Sequence, residues 1–340
     1  MENINVLVTG IGGPTAQGII NGLRKIDNIN IIGVDRRSMT SGHQFCDKTY
    51  QVPRYTQKDQ YRKAIIDIIH TEQVHAIFPS LHEEISLYQE TREDWGAIVA
   101  LPKSDNFPIL LNKENTYEFL IKMGLGSFVP RYYGFNGPDE LRQIKYVFFP
   151  DERFVVTKIV DGHGSLGFAI LASEEDYLKA LKEGRRKIYN INDYCKIIDQ
   201  EERKIVMEYI EGIEYSVDVF MHEGQVVVAV PRERSGVSNG IVLDGTVIYH
   251  EELIHASSEI AKAIATDGFL NLQFMKSKDG FKLTDVNPRF CGSQIMSLGA
   301  RVNFPYLFLQ YNLLQEFVSV TPRWNTRMLR YREHFFVYQD

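Results

Sequence analysis

Gln273, Asp285 and Asn287 fall within one short run, "NLQFMKSKDGFKLTDVNPRF". The run reads as two antiparallel strands joined at "KDG". Asp285 and Asn287 stand two apart, so their side chains share a face of the strand. Cross-strand pairing can bring Gln273 onto that face as well. Oxygen ligands with few carboxylates suit Mg2+, which keeps waters and takes substrate phosphates as its remaining ligands. Arg289 follows Pro288 and can direct a guanidinium at the same phosphates. Polar groups in an otherwise apolar hairpin are costly unless a cation or a partner satisfies them. A purely structural role does not account for all four residues.

Two other stretches carry compatible chemistry. Lys158 ends "VVTK" and is followed by "DGHGSLG", where Gly162, Gly164 and Gly167 surround Ser165. Backbone N–H groups of such a loop can cover phosphate oxygens while the lysine supplies a fixed charge. Taken alone, the pattern also fits an ordinary mobile turn. In "VMEYIEGIEYSVDVF", Glu208 ends a strand and Glu211 and Glu214 follow closely. A purine needs an acceptor for its amine, a backbone N–H for a ring nitrogen and a carboxylate for the ribose. This run can provide all three, although a solvated acidic turn reads the same way.

The N-terminus, "VLVTGIGGPTAQGI", is a strand, a glycine loop and a helix. Asp35 ends the second strand near the position that reads a ribose in dinucleotide-binding folds. Gly18 sits late for that fingerprint, and Pro14 enters where a helix would offer N–H groups to a pyrophosphate. An NAD(P)-dependent oxidoreductase on this lobe is the alternative that these residues leave open.

These groups need a scaffold. The first third alternates strand and helix, which predicts a parallel sheet with function at the carboxyl ends of its strands. After "FVVTKIV" the strands become hairpin-like, with "HEG" and "KDG" as turns. Ser173 with Asp176 three residues on predicts a helix N-cap, and Gly268 is read as the end of the helix over "EELIHASSEIAKAIAT". With 340 residues, the chain is long enough for two or three compact units.

The net charge of −6 argues against a dedicated nucleic-acid binder. Arg323, Arg327, Arg330 and Arg332 are read as a solvated last strand. Cys46, Cys195 and Cys291 show no metal-type spacing and read as reduced cytoplasmic thiols. No basic region precedes the first apolar run, and no segment reaches the roughly 20 apolar residues of a membrane span.

Taken together, "VLVTGIGG", "LNKENTYEFLIKMG", "VVTKIVDGHGSLGF", "MEYIEGIEYSVDV" and "TDVNPRFCGS" resemble the ATP-grasp superfamily. The nearest branch is that of the carbamoyl-phosphate synthase large subunit and the L-amino-acid ligases. The resemblance implies an α/β ATP-grasp fold with a Rossmann-like N-terminal domain (1–110), a linker helix and small lid (111–205) and a catalytic subdomain (206–340).

It further implies that Lys113 and Lys158 hold ATP phosphates under a lid of Gly162, Gly164, Ser165 and Gly167. Glu208, with the backbone of Tyr209 and Ile210, would take adenine, and Glu214 the ribose. Gln273, Asp285 and Asn287 would ligate Mg2+, with Mn2+ as substitute. Arg289, Lys158 and Asn287 would be catalytic.

Three positions depart from the family pattern. Ile159 stands where proline is usual, Asp285 where glutamate is usual, and Gln273 where many relatives have a carboxylate. The implied reaction is phosphorylation of a small-molecule carboxylate, then joining to an amine, in a cytoplasmic enzyme that often dimerises. A catalytically idle ATP-binding protein is the other alternative. The acceptor candidates are Arg232, Ser293, Arg301, Asn303, His82 and Glu83, with a surface ion pair the competing reading for Arg232.

Overall fold

The computed structural model describes residues 3–162, 167–185, 187–238, 241–331, 333–334 and 336–337. The chain forms two compact units. One comprises residues 1–104, 214–272 and 287–340, and the other residues 105–213 and 273–286.

In the first unit the alternating pattern gives β1 (Ile4–Thr9), α1 (Pro14–Leu23), β2 (Ile29–Asp35), β3 (Lys48–Gln51), α2 (Lys58–Glu72), β4 (Ala76–Phe78), α3 (Ile85–Glu90) and β5 (Ile98–Val99). The strands pair in parallel in the order β3-β2-β1-β4-β5. The order reverses direction between β1 and β4, so a crevice is expected at their carboxyl ends. The helix expected over "EEISLYQETREDW" is split into a turn at His82–Glu84, α3, and a turn at Arg92–Asp94. Thr91 Oγ1 donates to the Leu87 carbonyl at 2.8 Å, a local side-chain bond that competes with helix continuation.

The second unit begins with α4 (Lys113–Lys122). It continues through β6 (Tyr132–Phe135), α5 (Gly137–Phe148), β7 (Phe154–Ile159), β8 (Ala169–Ala172), α6 (Glu174–Lys182), β9 (Ile188–Asn190), α7 (Ile191–Ile197) and β10 (Lys204–Glu208). Its strands are ordered β6-β10-β7-β8-β9, antiparallel except at β8-β9. Ser173 caps α6 as predicted, its Oγ accepting from Asp176 N at 3.2 Å.

The chain then forms β11 (Glu214–His222), β12 (Gln225–Ser238), β13 (Ile241–Val247), α8 (Glu251–Ile264), β14 (Gly268–Ser277), β15 (Gly280–Asn287), α9 (Ile295–Gly299), α10 (Phe304–Leu309) and β16 (Thr326–Leu329). The sheet order is β15-β14-β11-β12-β13-β16. Both predicted turns are present, at His222–Gln225 and at Ser277–Gly280. Gly268 does not close α8, which ends at Ile264; it starts β14 at φ +89. A Cβ there would lie 2.8 Å from Pro102 Cα, so close backbone approach demands glycine.

One apolar core of the first unit joins Val6, Val8 and Ile19 to Phe220, Val230, Phe290 and Phe304. No helix among the described residues is long and apolar enough to cross a membrane.

Candidate functional site

The second unit holds two lysines against one strand. Asn112 caps α4 by accepting from Asn115 N at 3.0 Å, which places Lys113 at the first helical position. Lys113 N donates to Val160 O at 2.7 Å, fastening the helix start to the end of β7. A two-pronged Arg203–Glu114 pair, at 2.9 and 2.7 Å, holds the same turn.

From there Lys113 Nζ lies 3.2 Å from Asp285 Oδ1 and donates to the Gly162 carbonyl at 2.5 Å. Lys158 sits in β7 and donates from Nζ to the Thr284 carbonyl at 2.9 Å. Both lysines therefore reach adjacent residues of β15. One of them also binds the residue that opens the glycine loop. Gln273 is half-buried on β14, the hydrogen-bonded neighbour of β15. The donor set offers oxygens with one carboxylate, as a cation that also binds phosphates requires. Thr284 has no signal in the sequence, since only its backbone takes part.

Of the loop residues named above, Gly164 and Ser165 lie outside the described residues. Gly167 closes the loop at φ +67, and a Cβ on it would fall 2.3 Å from Ile159 Cγ1. The isoleucine that replaces the family's usual proline thus packs where glycine leaves room.

Glu208 lies at the end of β10. Its carboxylate accepts from Arg131 N at 2.9 Å while its own N–H donates to Arg131 O at 3.0 Å. The side chain lines an open groove with Ile121, Val129, Tyr132 and Lys282. With the carboxylate committed to Arg131, its carbonyl is the group left to accept from a base. The neighbouring Tyr209 packs edge-on against Phe154 and accepts from Arg185 at 2.8 Å, and Ile210 follows, half-buried.

In the first unit Asn287, at the end of β15, is 7% exposed. Arg289 Nη1 donates to Phe290 O at 2.9 Å and approaches Thr15 Oγ1 at 3.4 Å. The segment that follows lies against α1. A Cβ on Gly18 would stand 3.3 Å from Cys291 O, and one on Gly292 3.0 Å from Pro14 O. This contact explains why the third glycine of the opening loop sits late. Ser293 is half-buried beside Cys291, at 3.5 Å between Oγ and Sγ. Arg330 Nη2 donates to the Gly292 carbonyl at 3.1 Å, so this arginine is tied to the segment and not merely solvated.

Several expected assignments change. Arg232 forms no surface ion pair: neither its side chain nor that of Asp218, 2.5 Å away, is exposed. A guanidinium buried in this way is closed to a substrate carboxylate. Asn303 caps α10, accepting from Tyr306 N at 3.3 Å, and donates to Gly22 O at 2.8 Å. Both ends of its amide are thereby used within the fold. Arg301 is exposed at φ +70 just beyond α9, a helix-terminating position. Glu214 pairs with Arg234 across β11–β12. His82 and Glu83 lie in the turn after β4, the first half-buried and the second exposed.

The opening loop is filled by its own chain. Gly12 N donates to Asp35 Oδ2 at 3.1 Å and Gly13 N to Gly10 O at 2.9 Å. Arg37 chelates Asp35 and lies where a Gly12 side chain would project. That pairing, with the N–H bonds to Gly12 and Arg37, outweighs burial and lowers the Asp35 pKa. The N–H groups and the acidic residue that a dinucleotide would use are therefore engaged with one another, against the oxidoreductase alternative.

The comparisons bear on the same segments. A family described as ATP-grasp in the biosynthetic pathway with Ter operon matches residues 200–334, and the PylC-like N-terminal domain matches residues 6–99. No curated protein sequence matches the chain significantly.

Solved structures with the same fold include the biotin carboxylase domain of Hydrogenobacter thermophilus 2-oxoglutarate carboxylase, in complex with MgADP, ADP and bicarbonate. Its TM-score is 0.64 at 16% identity, over 91% of this chain and 70% of that one. The Bacillus licheniformis L-amino acid ligase gives 0.64 at 13%, over 91% and 74%. The Staphylococcus aureus N5-carboxyaminoimidazole synthetase complexed with ADP gives 0.64 at 15%, over 91% and 77%. Residues 200–334 are thus an ATP-grasp domain, residues 6–99 a PylC-like N-terminal domain, and the chain as a whole has the ATP-grasp fold.

Proposed function

We propose that this protein is an ADP-forming carboxylate–amine ligase that uses ATP and Mg2+. The observation that carries the reading is the convergence of Lys113 and Lys158 on Thr284 and Asp285, with Lys113 also bound to Gly162. Cations, a glycine loop and an oxygen donor set are the parts a triphosphate requires. The nucleotide-bound neighbours of the same fold add support.

In this reading a carboxylate oxygen of the acid attacks the γ-phosphorus and ADP leaves. The amine then attacks the acyl carbon, and phosphate leaves. Lys113 and Lys158 hold the phosphates, and Arg289 takes up charge on the transferring phosphoryl group and on the acyl phosphate. Gln273, Asp285 and Asn287 would hold Mg2+, or Mn2+ in its place, which neutralises phosphate charge when bound. Glu208, Tyr209 and Ile210 border the base, Glu214 the ribose, and residues 111–205 supply the lid. The chain does little covalent chemistry; its residues position groups and neutralise charge. Ser293, His82 and Glu83 remain candidates for the acceptor. We place the enzyme in the cytoplasm, as a homodimer acting on small molecules.

The test is ADP release with ATP, Mg2+ and hydroxylamine across a panel of carboxylates that includes bicarbonate and amino acids. One acid should yield both ADP and a hydroxamate, and Asp285→Ala should abolish both. ATP binding without turnover on any acid would reject the ligase reading in favour of an idle nucleotide-binding protein.

A further inference from the structure

Asp218 on β11 and Arg232 on β12 form an ion pair with no exposure on either side chain. Asp218 Oδ1 accepts from Arg232 Nη2 at 2.5 Å and from Asn271 Nδ2 at 2.9 Å, and Oδ2 accepts from Ser297 Oγ at 2.7 Å. Arg232 Nη2 also reaches Cys291 Sγ at 3.5 Å, and Arg232 Nε has no partner among the described residues.

A buried pair of this kind is weak evidence for stability, because apolar side chains of similar volume often serve as well. The surroundings here are apolar already, with Val217, Val219, Val230 and Met296 all buried. What charge adds is direction: one carboxylate with fixed donors sets where those donors sit. Two of its contacts, Cys291 and Ser297, bracket the segment that directly follows Arg289. The rest of that segment is tied from outside the pair, at Gly292 by Arg330 and by close approach to Pro14.

We propose that Asp218 and Arg232 are positioning residues, whose buried pair fixes residues 290–297 and thereby holds Arg289 in place. Only the kinetic consequence rests on the ligase reading. The mechanical claim concerns the segment itself.

The test uses the full chain with the double variant Asp218→Asn/Arg232→Met, which removes both charges together. Arg232→Lys keeps the charge and shortens the reach. Amide hydrogen exchange over residues 288–297 should quicken at least about tenfold in the double variant, with a melting midpoint close to the parent's. It should rise to an intermediate extent in Arg232→Lys. With an active acid, kcat should fall about 10- to 100-fold at unchanged KM for ATP, as when an outer partner of a site is lost.

Parent-like exchange in this segment would overturn the proposal. So would activity lost only in step with the folded fraction. If the double variant does not fold, Arg232→Lys decides: a folded protein with a loosened segment supports the proposal, and parent-like exchange rejects it. If the parent turns over no acid, the ligase reading fails while the exchange result still judges the pair.

Discussion

Glu84 offers a test of the first unit that needs no substrate. It is 3% exposed, and its carboxyl accepts from Thr9 Oγ1 at 2.6 Å and Tyr61 OH at 3.0 Å. Burial drives its pKa up to about 7 from an ordinary 4.5; the two hydrogen bonds oppose the rise, and Glu83 and Asp35 add to it. The folded protein therefore binds this proton more tightly than the unfolded chain does. The associated stability is fully present below pH 4.5 and is lost as the pH rises through 7. Each tenfold change in proton affinity is worth roughly 1.4 kcal/mol, so ionising Glu84 costs the fold about 3 kcal/mol.

Glu84→Gln removes the titration and leaves an uncharged side chain of similar shape. Any lost hydrogen bond shifts its stability by the same amount at every pH. Urea unfolding followed by the fluorescence of Trp95, which packs 4.6 Å from Tyr88 beside this cluster, reads the relevant region. Between pH 4.5 and 8 the parent should lose about 3 kcal/mol relative to the variant. A difference that stays flat across this range would mean that Glu84 titrates alike in both states, and the burial argument would fail.

Three further outcomes follow from local geometry. Lys113→Ala should lower acid-dependent ADP release by at least about 100-fold while the circular dichroism spectrum stays unchanged, since a charge aimed at phosphate is lost. Ser173→Ala removes the N-cap of α6 and should cost about 1 kcal/mol, read as faster amide exchange in the first turn of that helix. Gly268→Ala forces a side chain into φ +89 and against Pro102, and should destabilise the first unit by about 1–3 kcal/mol in the same Trp95-monitored unfolding.

What the sequence determined on its own is local chemistry at fixed spacing. Ser173 and Asp176 announce a cap because both partners lie within one turn. The "HEG" and "KDG" turns announce hairpins because their geometry is set by neighbouring residues. The alternation of the first third announces a parallel sheet because its strands and crossover helices repeat in order. Lys158 before its glycines, and Asp285 two residues before Asn287, are legible for the same reason.

Tertiary structure decided everything that depends on burial and on distant partners. Arg232 reads from sequence as a surface arginine. It is buried because Asp218, Asn271, Cys291 and Ser297 come from four other parts of the chain to surround it. Asn303 reads as a polar contact for substrate, yet α1 supplies the carbonyl that claims it. Glu84 reads as one acid in "HEE", and its proton affinity is set by burial beneath Thr9 and Tyr61. Spacing along the chain encodes which groups a turn or strand can present. Desolvation and long-range pairing then determine which of those groups stay open to a ligand.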